Sequence, residues 1–144
     1  MGVYEPRWVP IIGGVLAALG SVHAFVVHGE GLDEIAVSGT TQVAEVVGGE
    51  VRTFTLVPED LGVGRWPAGA LAGGDSEYNA RVTREVLSGQ AGAPRDAVLA
   101  NASAALVAAG AAPDLRAGVR LAAEAIDRGA ARQKLDLLVA ASRG

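Results

Sequence analysis

Apolar residues recur every three or four positions in five stretches of the chain, which is the spacing of helices that bury one face. The predicted helices span residues 6–19, 75–88, 94–109, 113–129 and 130–141. Glycines mark the ends of the first four, at Gly20, Gly89, Gly110 and Gly129. The residues predicted to face inward in the last four helices are Tyr78, Val82 and Val86; Val98, Ala102, Ala105 and Leu106; Leu115, Val119, Ala122 and Ile126; and Ala131, Leu135 and Leu138.

Other stretches have the pattern of strands. Residues 24–27, Ala-Phe-Val-Val, form a short apolar run typical of a buried strand. Residues 42–47 and 51–56 alternate on either side of Gly48-Gly49, which predicts a β-hairpin. The apolar contacts of this hairpin are predicted to come from Val51, Phe54 and Leu56. Together with the helices, these strands indicate an α/β fold in which a sheet packs against helices.

Charge and composition exclude several classes of protein. The net charge of −4 argues against a nucleic-acid groove, which needs a basic stripe to displace counterions. Because the chain has no cysteine, disulfide scaffolds, thiolate catalysis and cysteine zinc sites are excluded, and we expect a cytoplasmic location. We expect no membrane partner, because the apolar run at residues 8–19 is too short to span a bilayer.

The amino-terminal stretch has a second interpretation. Arg7, the apolar run after it and Val22-His23-Ala24 imitate a secretory signal peptide with a small-residue cleavage site. Against this, Glu5 offsets the charge of Arg7, and cleavage after Ala24 would cut into the predicted strand. We therefore prefer a helix that stays in the protein, and sequencing of the mature amino terminus would decide between the two.

Two adjacent acids, Asp33 and Glu34, follow the predicted strand and are preceded by Gly29 and Gly31. Neighbouring side chains on a regular strand point to opposite faces, so these two could share a ligand only where the loop bends, and the glycines make such a bend cheap. Ligands of open α/β sheets bind beyond the carboxyl ends of strands, and magnesium prefers one or two carboxylates with water and phosphate oxygens. Spacing alone leaves open whether the pair binds magnesium or consists of solvated loop acids.

The remaining polar candidates favour structural roles. His23 and His28 lie at the ends of the predicted strand without ligand spacing, so we interpret them as structural or solvent-facing. Asp75, after two glycines, is predicted to cap a helix rather than to belong to a phosphate loop. Asn101, in an alanine-rich helix, is predicted to hydrogen-bond to a neighbouring loop. The arginines predicted to face solvent are Arg81, Arg84, Arg95, Arg116 and Arg120.

Several runs of the chain resemble a known family. The run Val-His-Gly-Glu-Gly-Leu-Asp-Glu-Ile at residues 27–35 is followed by Ser-Gly-Thr-Thr-Gln-Val-Ala-Glu at residues 38–45. Further matching runs lie at residues 2–4, 49–52, 55–62, 73–75, 79–80 and 95–102. Together they resemble the anthranilate phosphoribosyltransferases, and the resemblance extends over nearly the whole chain.

This resemblance implies an activity and a metal. Members of the family transfer a phosphoribosyl group from phosphoribosyl pyrophosphate to anthranilate in tryptophan biosynthesis. The residues that match the family's magnesium ligands are Asp33 and Glu34, with Gly31 shaping their loop, although this loop is one residue shorter than usual between Glu30 and Gly31. The resemblance assigns no other catalytic or substrate-binding residue of this chain.

The resemblance also implies an incomplete catalytic unit. The family's phosphate loop (Gly-Thr-Gly-Gly-Asp), its Lys-His-Gly-Asn segment and its anthranilate-binding arginine have no match in residues 1–144. We therefore expect the carboxyl-terminal portion of one catalytic domain, with a partial mixed sheet and a hairpin packed against about five helices. Alone it would be a weak or inactive catalyst, and its partners would be the substrates and either the amino-terminal half or another copy. The alternative is a non-catalytic interaction module or an inactive remnant.

Overall fold

A computed structural model describes residues 1–143 and contains a three-stranded sheet with helices on both faces. The strands are β1 (His23–Gly29), β2 (Thr41–Val47) and β3 (Glu50–Leu56). The α-helices are α1 (Trp8–Ala18), α2 (Pro58–Leu61), α3 (Ser76–Leu87), α4 (Ala93–Ala108), α5 (Leu115–Asp127) and α6 (Ala130–Ser142), and a short 3-10 helix covers Ala68–Leu71. The predicted α/β fold and all five predicted helices are confirmed.

The sheet is an antiparallel meander in the order β1-β2-β3. The predicted hairpin is present, and Gly48 and Gly49 have φ angles of 55° and 89°, which suit the tight turn between its strands. The predicted mixed sheet is represented within residues 1–143 by a parallel bridge between Gly2 and Val27, on the side of β1 that faces away from β2. The three strands themselves pair antiparallel. Val51, predicted to supply hairpin contacts, is 40% exposed, because β3 is an edge strand of the sheet; its partner Val46, on the central strand, is 0% exposed.

Two apolar layers hold the sheet in place. On one face, Val26 and Ala44 pack against α1, where Gly13 lies so close that an added β-carbon would be 3.0 Å from the Ala44 β-carbon. On the other face, Phe25 and Val27 belong to the main core, which α4 and α5 complete. β1 and β2 are therefore covered on both faces, whereas β3 is largely exposed.

The alanine-rich helix α4 faces the core with only two of the four residues predicted, Ala102 and Leu106. Val98 is 42% exposed and Ala105 is also exposed, whereas Leu99, Ala100 and Val107 are buried. The prediction was wrong at Val98 and Ala105, because the many alanines of this helix reduce the contrast between its apolar and polar faces. The prediction that Leu138 faces inward was also wrong. This side chain is 65% exposed, and α6 has no buried residue.

Asp75 caps α3, as predicted, and Asp114 caps α5. The Asp75 carboxylate accepts a hydrogen bond from the Tyr78 amide at 2.8 Å, and the Asp114 carboxylate accepts one from the Ala117 amide at 2.7 Å. Each cap satisfies an amide that the first helical turn leaves unpaired. Among residues 1–143, the helices are all too short or too polar to cross a membrane.

Candidate functional site

The acid pair lies directly after a tight turn at the end of β1. The Gly29 and Leu32 backbones exchange two hydrogen bonds, of 3.0 and 3.2 Å, across the turn. Gly31, at the third position of this turn, has a φ of 73°, a conformation that other residues rarely adopt. Gly31 therefore makes possible a turn that precedes Asp33, and the backbone also bends at Asp33 and Glu34, where a ligand shared by the two acids would require it.

Two glycines hold the backbone of the acid pair between them. A β-carbon added to Gly2 would lie 1.5 Å from the Asp33 carbonyl oxygen, and one added to Gly29 would lie 2.7 Å from the Glu34 carbonyl oxygen. Neither position could carry a larger side chain without moving these carbonyl groups. The close approach of two neighbouring backbones thus fixes the path of the chain through Asp33 and Glu34.

Asn101 anchors the residue that follows the acid pair. Its side-chain oxygen accepts a hydrogen bond from the Ile35 amide at 2.8 Å, and its side-chain nitrogen donates to the Ile35 carbonyl oxygen at 3.1 Å. The same nitrogen also donates to the Ala97 carbonyl oxygen, one helical turn earlier, at 3.0 Å. The prediction that Asn101 bonds to a neighbouring loop is confirmed, and that loop is the one that carries the acids.

Further bonds continue the support beyond Ile35. The Ala36 amide donates to the hydroxyl of Thr41 at 2.9 Å, and Thr41 is 1% exposed. The Val37 carbonyl oxygen accepts a hydrogen bond from the Trp66 amide at 2.8 Å. From Leu32 to Val37 the backbone is therefore held at each residue by a hydrogen bond or by a glycine contact.

An ion pair ties the connector after β3 to the same loop. Arg65 donates to the Glu59 carboxylate at 2.8 and 2.9 Å and to the Ser38 carbonyl oxygen at 3.2 Å. The hydrogen bond from Arg65 lowers the pKa of the Glu59 carboxyl below its ordinary value of 4.5, and the same contact raises the pKa of the Arg65 guanidinium. Both side chains are solvated, so this contact positions the loop more than it stabilises the fold.

The carboxylates themselves are left unengaged. Both Asp33 and Glu34 are exposed, and neither carboxylate makes a hydrogen bond or an ion pair within residues 1–143. Glu34 lines a concavity of about 520 Å³ whose walls include Phe25, Val27 and Asn101, whereas Asp33 is not among its lining residues. Two neighbouring negative charges without a cationic partner are arranged to attract a cation.

A divalent ion at this site would need further ligands. Groups of three or more metal-ligating side chains do not occur in the part of the chain that the structure describes. Magnesium is commonly held by one or two carboxylates, with water and substrate phosphates filling its remaining positions. The donor chemistry of Asp33 and Glu34 therefore fits a magnesium ion that is shared with a phosphorylated ligand.

The histidines have structural contacts, as predicted. The His23 ring contacts the Glu45 carboxylate at 3.1 Å, and the His28 ring contacts the Val3 carbonyl oxygen at 2.8 Å.

The prediction that the arginines face solvent was wrong at Arg95, whose side chain is 12% exposed and pairs with Asp127 at 2.8 Å. Spacing along a helix does not reveal a partner on another helix.

A second arginine differs from the prediction in its contacts. Arg116 donates to the carbonyl oxygens of Asp60 and Glu59, at 2.7 and 2.8 Å, and so joins α5 to α2. It is exposed as predicted, but solvation does not explain it. The acceptors are backbone atoms, which no side-chain pattern could have indicated.

Comparisons with known proteins agree on one group of relatives. The model of the family described as glycosyl transferase family, a/b domain, matches residues 1–132. An anthranilate phosphoribosyltransferase of Anaeromyxobacter sp. (strain Fw109-5) is 68% identical over 144 residues, and one of Mesorhizobium japonicum is 54% identical over 144 residues. Each alignment covers 100% of this chain but 43% of the relative, so the chain spans about two-fifths of the length of these curated relatives.

Solved structures give the same result. The anthranilate phosphoribosyltransferase of Thermus thermophilus superposes with a TM-score of 0.90 at 40% identity, over 99% of this chain and 42% of that one. The Saccharomyces cerevisiae enzyme in complex with PRPP (phosphoribosyl pyrophosphate) and Mg superposes with a TM-score of 0.82 at 28% identity, over 94% of this chain and 40% of that one. Nearly all of the chain is thus similar to a contiguous part of these larger proteins.

Proposed function

The chain belongs to the glycosyl transferase family, a/b domain, and on that premise we propose that it supplies the magnesium-binding part of an anthranilate phosphoribosyltransferase. Residues 1–144 would form the carboxyl-terminal portion of one catalytic domain. The protein would act in the cytoplasm, in tryptophan biosynthesis. Because the chain spans 43% of its relatives' length, we propose that further substrate contacts come from polypeptide outside it.

The proposed reaction transfers a phosphoribosyl group to the amine of anthranilate. The bond between ribose C1 and the pyrophosphate oxygen breaks, a bond from C1 to the anthranilate nitrogen forms, and that nitrogen loses a proton. Magnesium, when bound, would offset the negative charge that grows on the departing pyrophosphate. Asp33 and Glu34 would hold the ion at the end of β1 and so orient the pyrophosphate.

The observation that supports this assignment is the contrast between backbone and side chains at the acid pair. Glycine contacts and hydrogen bonds hold the backbone from Leu32 to Val37, yet both carboxylates are left free. A loop held this firmly loses little conformational entropy when an ion binds. Solvated loop acids without a ligand would need no such support.

Metal binding can be tested on the chain itself. We expect saturable binding of Mn²⁺ in the presence of phosphoribosyl pyrophosphate, measured by electron paramagnetic resonance of the free ion. The double variant Asp33→Asn/Glu34→Gln should weaken it at least about tenfold, because both ligands lose their charge. The control Glu50→Gln/Asp136→Asn removes the same charge from two other exposed acids, on the hairpin and on α6, and should bind as the wild type does.

Activity can be tested in a chimera. This chain would replace the matching 42% of the Thermus thermophilus enzyme, and phosphoribosyl transfer would be followed by the loss of anthranilate fluorescence. We expect an active chimera that the acid-pair substitutions inactivate. An inactive but folded chimera, together with no saturable Mn²⁺ binding by the chain, would instead indicate the alternative of a non-catalytic module or remnant.

A further inference from the structure

Asn101 reaches from a distant helix to the backbone directly beside the acid pair. It lies 66 positions from Ile35 in sequence and contacts both the amide and the carbonyl group of that residue. Ile35 follows Glu34 directly and is 3% exposed. We infer that Asn101 is the positioning residue of the proposed metal site: it sets where Glu34, and with it Asp33, presents its carboxylate.

The chemistry of the contact requires an asparagine in one orientation. An amide N–H can only donate, so the side-chain oxygen of Asn101 must face the Ile35 amide, and its nitrogen must face the Ile35 carbonyl oxygen. The third bond, to Ala97, fixes the side chain in this orientation from the helix side. An aspartate of the same shape would accept from the amide but would place a second acceptor against the carbonyl oxygen.

Because this contact lies directly beside the acids in the chain, it controls their position. The turn bonds end at Leu32 and the Thr41 bond begins at Ala36, so within residues 1–143 Asn101 supplies the side-chain bonds nearest to Glu34. Asn101 lies in the middle of α4, which packs against β1 and α5. The position of a helix packed against the core therefore determines the position of an exposed loop.

Outer residues that orient metal ligands are commonly worth a factor of about 10–100 in metal affinity. We accordingly expect Asn101→Ala to weaken Mn²⁺ binding in the presence of phosphoribosyl pyrophosphate by at least about tenfold. Asn101→Asp should weaken binding in the same direction, because it loses both donated bonds. Amide hydrogen exchange at Ile35 should accelerate in Asn101→Ala, which removes the acceptor of that amide, and less in Asn101→Asp, which keeps an acceptor there.

The chain offers a matched control in Asn79. Its side chain makes the same pair of bonds to one backbone residue, accepting from the Gly74 amide at 3.0 Å and donating to the Gly74 carbonyl oxygen at 2.9 Å, on a different loop. Asn79→Ala should leave Mn²⁺ binding unchanged. All affinities would be measured on folded protein, well below each variant's unfolding midpoint, so that a loss of stability alone would not alter them.

A double-mutant cycle distinguishes an effect on the position of the metal ligands from a general loss of protein structure. In the Asp33→Asn/Glu34→Gln background, Asn101→Ala should cause no further loss of binding, because the ligands that it orients are already gone. Wild-type affinity in folded Asn101→Ala, or an equal loss in Asn79→Ala, would overturn this inference and leave the proposed function standing. Because the inference rests on the proposed function, a wild-type chain without saturable Mn²⁺ binding would overturn both.

Discussion

Replacing Gly29 with alanine should displace the acid pair by adding a single methyl group. The new β-carbon would lie 2.6 Å from the Ala36 β-carbon, 2.7 Å from the Glu34 carbonyl oxygen and 3.0 Å from the Ala36 amide nitrogen. Gly29 is buried, and its φ is not in the left-handed region, so alanine can adopt its backbone conformation. The expected destabilisation therefore comes from the collision and not from backbone strain.

The magnitude follows from two opposing effects. Alanine in place of glycine in a strand would stabilise the fold by about 0.5–1 kcal/mol, because the unfolded chain loses freedom. Forcing an extra methyl group into a packed site costs about 1–3 kcal/mol. The contacts here are with backbone atoms and a β-carbon, which cannot rotate away, so we expect a net loss of about 1–2 kcal/mol in the free energy of unfolding.

Urea unfolding measures this loss, and Mn²⁺ binding measures its effect on the acids. The melting temperature should fall by about 2–8 °C, and Mn²⁺ affinity should fall by about tenfold, because the Glu34 carbonyl group must move. Gly14→Ala is the matched control, since a β-carbon there meets nothing within 4 Å. A Gly29→Ala protein as stable as the wild type, with unchanged Mn²⁺ affinity, would refute the idea that close backbone packing places the pair.

Two further predictions concern helix packing and pH. Gly118→Ala should lower the free energy of unfolding by about 1–2 kcal/mol, because the β-carbon would lie 2.8 Å from a carbonyl oxygen of α4, whereas Gly14→Ala should raise it by up to about 1 kcal/mol. Changes of the same sign in urea unfolding would contradict this. Because the folded pKa of Glu59 is lowered, its ion pair with Arg65 should persist above about pH 4.5 and be lost as pH falls through the folded pKa. A carbon NMR titration of Glu59 should show this, and Arg65→Ala should raise the midpoint toward its ordinary value, because it removes the largest cause of the lowered pKa.

Local features of this protein were predictable in detail. The hairpin follows from two glycines between alternating segments, and the start of α3 follows from Asp75, because each depends on residues within a few positions. The prediction for Asn101 succeeded for a related reason, since a buried amide in an apolar helix must find partners. The prediction for α4 was wrong at Val98 and Ala105, because a helix rich in alanine has no clear apolar side to indicate which neighbour it meets.

The sequence by itself therefore determined the elements, their ends and the presence of two acids after a buried strand. Only the tertiary structure decided how the backbone around those acids is held. The contacts that hold it come from Gly2, Gly29 and Asn101, and Gly2 and Asn101 are both far from the acids in sequence. Such contacts involve backbone atoms, which are chemically the same at every residue, so no pattern of side chains along the chain could have shown which of them would meet.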